Sequence, residues 1–232
     1  MIIILSSQIS EEFSKKTNFE VISLPPYKKL DAPVSSHADM LISIIDDTLF
    51  CYDEYYLENR EIFKKIENYY KVVRVEHKCT KIYPNDIALN VLIIGKIIFA
   101  RLDYTANEII KYAKKNGYKL VNVSQGYAAC STLVLGNSAI TSDISIYNAL
   151  VSEGINTLFV TTEGITLTGY NCGFIGGAAG VIKDKVYFFG NLKEYLDCDK
   201  FSLFLEQNNF KLIEILPNGV FDFGGFKPIL NS

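Results

Sequence analysis

Ser36-His37-Ala38-Asp39, then the apolar run 40–45, a turn at Asp46-Asp47 and a second apolar run 48–52, form one copy of the pattern that decides the fold. The plan is a short polar or glycine-containing approach, an apolar strand, a tight turn and a second apolar strand. It returns as Asn85-Asp86-Ile87-Ala88 with 89–94, Gly95-Lys96 and 97–100. The third copy is Gly126-Tyr127-Ala128-Ala129 with 130–135, Gly136-Asn137 and 138–141. The fourth is Gly173-Phe174-Ile175-Gly176 with 177–182, Lys183-Asp184 and 185–189. A fifth, Asp222-Phe223-Gly224-Gly225 with 226–230, stops after its first strand.

Taking His37, Asp86, Tyr127, Phe174 and Phe223 as equivalent anchors, the steps between them are 49, 41, 47 and 49 residues. The step from Phe223 past Ser232 and round from Met1 to His37 is 46 residues. A linear array has no reason to match there, whereas a closed ring does. Helix patterns fill the connections at 10–16, 54–69, 143–152 and 199–207, and the capping-box sequence Thr105-Ala106-Asn107-Glu108 opens a further one that runs to Lys115, with Gly117 as its stop. A strand-like run follows each, at 19–24, 71–75, 120–123, 157–160 and 212–216. Alternating strands and helices imply parallel pairing with helices outside. The expectation is an α/β, five-bladed, pseudo-symmetric propeller of ββαβ repeats in one domain over 1–232, its last blade closed by the N-terminal strand.

Composition narrows the class. The chain has 232 residues, 49% apolar, enough to bury a core without staples. A net charge of -3 disfavours nucleic acid, which needs a basic stripe to neutralise phosphates. Five cysteines without a CxxC pair point to a reducing compartment rather than a disulfide framework. No apolar run reaches the length of about 18 residues that a membrane span requires, and the opening run 1–5 is too short for a signal peptide. These features read as a cytoplasmic globular protein. Nothing in the sequence implies a cofactor or a metal.

The repeats and two local motifs resemble the penteins, the guanidino-group-modifying α/β propellers. Ser36-His37-Ala38-Asp39-Met40 resembles the His-x-Asp motif of the deiminases, and Gly224-Gly225-Phe226-Lys227-Pro228-Ile229 resembles their glycine-rich C-terminal motif. The segments around His37, Tyr83-Pro84, Gly173 and Gly224 are similar to those of a bacterial family of this fold to which no activity is assigned. The resemblance implies an axial site for a guanidino-like ligand. In the catalytic members a cysteine in the C-terminal motif attacks the guanidinium carbon; Pro228 stands in that slot here, and proline is no nucleophile.

His37 and Asp39, two apart at an expected strand start, would point to one face, the axial cavity. A carboxylate beside an imidazole suits acid or base chemistry, although the pair could equally order the preceding loop. Asp86 with its neighbour Asn85, the anchor Tyr127, and Asp222 just before the fifth anchor are candidate ligand-binding residues. Carboxylates from different blades would suit a cation; Asp86 is equally a common turn former. Cys172, two before Phe174, could face the cavity as a recruited nucleophile, whereas Cys130, three after Tyr127, should face away. Cys51, Cys79 and Cys198 read as structural and His77 as a surface residue. The glycines of 173–180 read as close backbone approach, since no phosphate-loop pattern is present.

Three functions follow. One is a binder of a small, guanidino- or amino-acid-like ligand with a His/Asp cavity and no usual nucleophile. The second is a cysteine-dependent guanidine-modifying hydrolase using Cys172. The third is a protein-interaction module like the non-catalytic translation initiation factor of the same fold.

Overall fold

The computed structural model describes residues 1–229; Leu230, assigned from sequence to the last strand, lies outside the described residues. The elements run β1 (Ile2–Ser6), α1 (Ser10–Lys16), β2 (Glu20–Leu24), α2 (Ala38–Leu41), β3 (Ile42–Ile45), β4 (Thr48–Tyr52), α3 (Asp53–Glu58), α4 (Arg60–Ile66) and β5 (Lys71–Val75). They continue with β6 (Leu92–Ile94), β7 (Ile97–Ala100), α5 (Asn107–Lys115), β8 (Lys119–Asn122), β9 (Thr132–Leu135), β10 (Ser138–Thr141), α6 (Ile144–Ser152) and β11 (Asn156–Phe159). The last are β12 (Ala179–Ile182), β13 (Lys185–Phe188), α7 (Cys198–Gln207), β14 (Lys211–Glu214) and β15 (Phe226–Ile229).

Five three-stranded sheets repeat one plan, ordered β3-β4-β5, β6-β7-β8, β9-β10-β11, β12-β13-β14 and β15-β1-β2. In each, the inner strand is antiparallel to the middle one, and a helical crossover brings the outer strand back parallel. The N-terminal strand closes the fifth blade: β1 pairs antiparallel with β15, Ile2 opposite Ile229 and Leu5 opposite Phe226, and parallel with β2. All five inner strands contribute to the wall of one cavity, through Ile44, Ile93, Val134, Val181 and Lys227 among others. This is the five-bladed α/β propeller that the repeat spacing predicts.

Burial follows from that layering. Every residue of β4 is buried, as expected of a strand covered on both faces, while the outer strands β8, β11 and β14 are only partly covered. The two-residue hairpin loops carry a left-handed first residue at equivalent positions, Asp46, Gly95, Gly136 and Lys183. Among the described residues no helix is long and apolar enough to cross a membrane.

Two local expectations change. The connection 54–69 is two helices, α3 and α4, broken at Asn59. The Thr105 capping box does not form, because the Thr105 hydroxyl donates to the Arg101 carbonyl and Ala106 takes the cap position. Asp143 does cap α6, its Oδ1 accepting from the Ser145 and Ile146 amides.

Candidate functional site

The approach segments are not extended. The Leu41 amide bonds the His37 carbonyl, Ser131 bonds Tyr127, and Ala178 bonds Phe174, each at 2.9–3.1 Å. Three anchors therefore open the same helical turn before the inner strand. On such a turn, a residue three after the anchor lies on the anchor's side and a residue two after it points across the turn. That geometry corrects the strand reading of His37 and Asp39. His37 lines one cavity of about 260 Å³ with Met40, Tyr127 and Cys130, whereas Asp39 lines a second cavity on the wall of the inner strands. It also corrects Cys130, which faces the His37 cavity instead of turning away from it.

His37 is 1% exposed and its Nδ1 lies 3.7 Å from Oδ1 of Asp222, itself 4% exposed. The Gly224 amide donates to Asp222 Oδ1 and the Phe174 amide to Oδ2, each at 2.9 Å. Burial pushes the Asp222 carboxyl up to about 6; His37 and the two amides oppose that shift and the charge of Asp39 adds to it. The glycines make room for this carboxylate. A Cβ at Gly177 would stand 1.9 Å from Asp222 Oδ1, and one at Gly224, where φ is +76°, would stand 2.3 Å from His37 Cβ. Close approach is thus the reason for glycine in 173–180, with Gly173 against Asp222 and Gly180 against the Phe226 ring as well.

Asn90 ties the blades together beneath the site. Its amide donates to the Asp39 carbonyl at 3.0 Å and to Cys130 Sγ at 2.9 Å, and its Oδ1 accepts from the Ala129 amide at 2.8 Å. Asn90 lies outside the repeat anchors and motifs, although a lone polar residue inside the run Ile87-Ala88-Leu89-Asn90-Val91-Leu92 signals a buried polar function. Burial, followed by the charges of Asp39 and Asp222, drives the Cys130 thiol well above its ordinary value and keeps it protonated. Buried polar atoms remain unpartnered around the axis: His37 Nε2, both carboxylate oxygens of Asp39, and Asp86 Oδ1.

The other candidates divide. Tyr127 lines the His37 cavity and donates its hydroxyl to Asp86 Oδ2 at 2.7 Å, so Asp86 sits behind the tyrosine, buried, its carboxyl raised mainly by burial. Asn85 is exposed on its turn, outside both cavities, and contributes its carbonyl to the His77 ring. Cys172 lines the His37 cavity, partly buried. Pro228 stands in the edge strand β15, paired with Ile3 and outside both cavities, its carbonyl accepting from the Tyr70 hydroxyl. Among the described residues, no three His, Cys, Asp or Glu side chains are placed to hold a metal ion.

A family model described as a family of unknown function, DUF6873, matches residues 4–226. No curated protein matches the chain. Among solved structures, dimethylarginine dimethylaminohydrolase from Pseudomonas aeruginosa, complexed with citrulline, is similar at a TM-score of 0.57 and 12% identity, over 92% of this chain and 91% of that one. An amidinotransferase of the saxitoxin biosynthetic pathway from Microseira wollei gives 0.56 at 9% identity, over 89% of this chain and 75% of that one. Inosamine-phosphate amidinotransferase from Streptomyces griseus gives 0.55 at 11%, over 97% and 79%. The likeness is one of fold: the five-bladed architecture here is that of the penteins.

Proposed function

We propose, for a chain that belongs to the DUF6873 family of unknown function, that it binds a small guanidino- or amino-acid-like cation in the axial cavity that His37 and Asp222 line. One observation carries the reading. Asp39, Asp86 and Asp222 are each at most 6% exposed, and among the described residues no lysine or arginine pairs with any of them. Among the described residues, the one basic side chain within 4 Å of any of these carboxylates is the His37 imidazole, at Asp222, while Lys227 lines the cavity of Asp39 without pairing with it. Buried carboxylates are costly unless charge and hydrogen bonds compensate them. A guanidinium, planar and rich in donors, supplies both. The citrulline complex of the Pseudomonas protein with the same fold lends the reading support.

The helical turn of blade one suits this role. It presents His37 toward the cavity while Asp39 lies behind, deepening the negative potential. Five free cysteines support a reducing, cytoplasmic setting.

A second reading, a cysteine-dependent hydrolase, draws on Cys172 lining the same cavity as His37. Against it stand the unpartnered His37 Nε2, which no thiol approaches within hydrogen-bond reach, and Pro228 in the usual nucleophile slot.

Thermal-shift screening of n-butylguanidine, arginine, agmatine and citrulline against wild type and His37→Ala tests the proposal. The expected result is a stabilising cation whose effect disappears in the variant. Identical responses of both proteins to every compound contradict it.

A further inference from the structure

The cavity that holds His37 and Asp222 has a second property, the chemistry of its walls. Its floor is polar, with Asp222 and the unpartnered Nε2 of His37, both at most 4% exposed. Above the floor the wall is apolar: Val34, Met40, Leu167 and the rings of Tyr127 and Phe174, whose centroids lie 6.1 Å apart. At the mouth stands Tyr170, its hydroxyl donated to the Asp31 carboxylate at 2.9 Å, beside the exposed side chain of Asn171. Charge at the rim therefore has the same sign as charge at the floor. Among the described residues no lysine or arginine lines this cavity; Lys227 lines the second one, with Asp39.

We infer that the axial site selects an organic monocation with an apolar, uncharged stem, such as an alkylguanidine, and rejects ligands that carry a carboxylate. The inference rests on the cation-binding reading and narrows it. A guanidinium head meets Asp222 and His37, and the stem lies along the aliphatic and aromatic wall, where ring faces favour a cation and methylenes gain by leaving water. A volume of about 260 Å³ accommodates a head with a short chain. An amino-acid ligand of the same length brings its carboxylate to a wall without a basic group and a mouth that already holds Asp31. That carboxylate loses hydration and gains no partner. Agmatine-type dications face the complementary problem, with a second charge held against the apolar wall.

Isothermal titration calorimetry with n-butylguanidine and with L-arginine, on wild type and on Asn171→Arg, tests the selectivity. Asn171 is exposed at the mouth, so its replacement leaves the core intact and offers a guanidinium to an incoming carboxylate. Wild type is expected to bind butylguanidine at least roughly tenfold more tightly than arginine, the desolvated carboxylate setting the gap. In Asn171→Arg the gap narrows through tighter arginine binding, with butylguanidine weakened or unchanged. Arginine binding as tight as butylguanidine in wild type overturns the selectivity and leaves the cation site standing. Absence of binding by either compound overturns both.

Discussion

His37 and Asp222 face each other across the seam of the ring, Nδ1 to Oδ1 at 3.7 Å, although they come from opposite ends of the chain. Asp222 leads into β15, the strand that pairs with β1 and completes the fifth blade. Closing the ring and assembling the His37–Asp222 floor are therefore one event. The Asp39 amide, which donates to the Gly224 carbonyl, stitches the same seam.

The seam's tolerance for added atoms is testable at Gly177. A methyl there meets Asp222 Oδ1 at 1.9 Å, so Gly177→Ala must displace the carboxylate. The expected loss is about 1–3 kcal/mol of unfolding free energy, with loss of ligand binding. Gly136→Ala is the comparison, since its Cβ meets nothing within 4 Å and only the φ of +63° opposes it. Chemical denaturation should show about 1 kcal/mol there, with binding intact. Equal effects of the two variants on ligand affinity would contradict this account of Gly177.

The raised carboxyl of Asp222 sets a pH dependence. Folding moves it upward from its ordinary 3.8 to about 6, so the native protein holds this proton more tightly than the unfolded chain. Stability contributed by the protonated group is present at low pH and falls as pH rises through that interval. Relative to Asp222→Asn, wild type should lose up to about 3 kcal/mol between pH 4 and 6.5, with a plateau above. Cation affinity should run the other way and strengthen as pH rises through about 6. Denaturation of both proteins at several pH values checks the first slope; parallel curves for the two would refute it.

The ring was legible because its signals are local and repeated: two-residue loops with glycine or a polar residue first, and helix patterns at a fixed place in each period. The wrap-around step also pointed to β15 pairing with β1. The site was less legible for a reason visible at Ser36 to Ile45, where all but one residue are buried. With no exposed residue to mark a period, a helical turn and a strand start look alike. Reading 37–39 as extended placed Asp39 beside His37, and reading 127–130 as extended turned Cys130 away. One i→i+4 hydrogen bond in each segment reverses both assignments. Asp222 was placed near the fifth anchor by the repeat alone, and Asn85, next to a true buried aspartate, is exposed because its turn projects outward.

Asn90 should prove structural and positional together. Asn90→Ala leaves the Ala129 amide without its acceptor and frees the Asp39 carbonyl, an expected cost of about 2–3 kcal/mol. Asn90→Asp retains the acceptor but adds a charge beside Cys130 and Asp39, so it should destabilise more at pH 7 than at pH 4. Thermal unfolding at the two pH values measures the difference, and a pH-independent penalty for Asn90→Asp would contradict the placement of Asn90 beside these groups.

Guanidine hydrolysis should be absent. Attack on a guanidinium carbon needs a thiolate within about 3.5 Å of it; Cys130 is held protonated by burial and two carboxylates, and no thiol meets His37 Nε2. Citrulline and ammonia release from arginine and agmatine should stay at background in wild type and in Cys172→Ser alike. Turnover in wild type that Cys172→Ser abolishes would establish the hydrolase instead.

The most direct measurement is a crystal structure of the protein grown with n-butylguanidine. The account predicts the guanidinium on the floor of the axial cavity, within hydrogen-bond distance of Asp222, with the chain along Leu167 and Phe174 and no density for the ligand when Asp222→Asn is crystallised in the same way. A ligand bound only at the outer surface or in the cavity of Lys227, with the His37–Asp222 floor unoccupied, would contradict it.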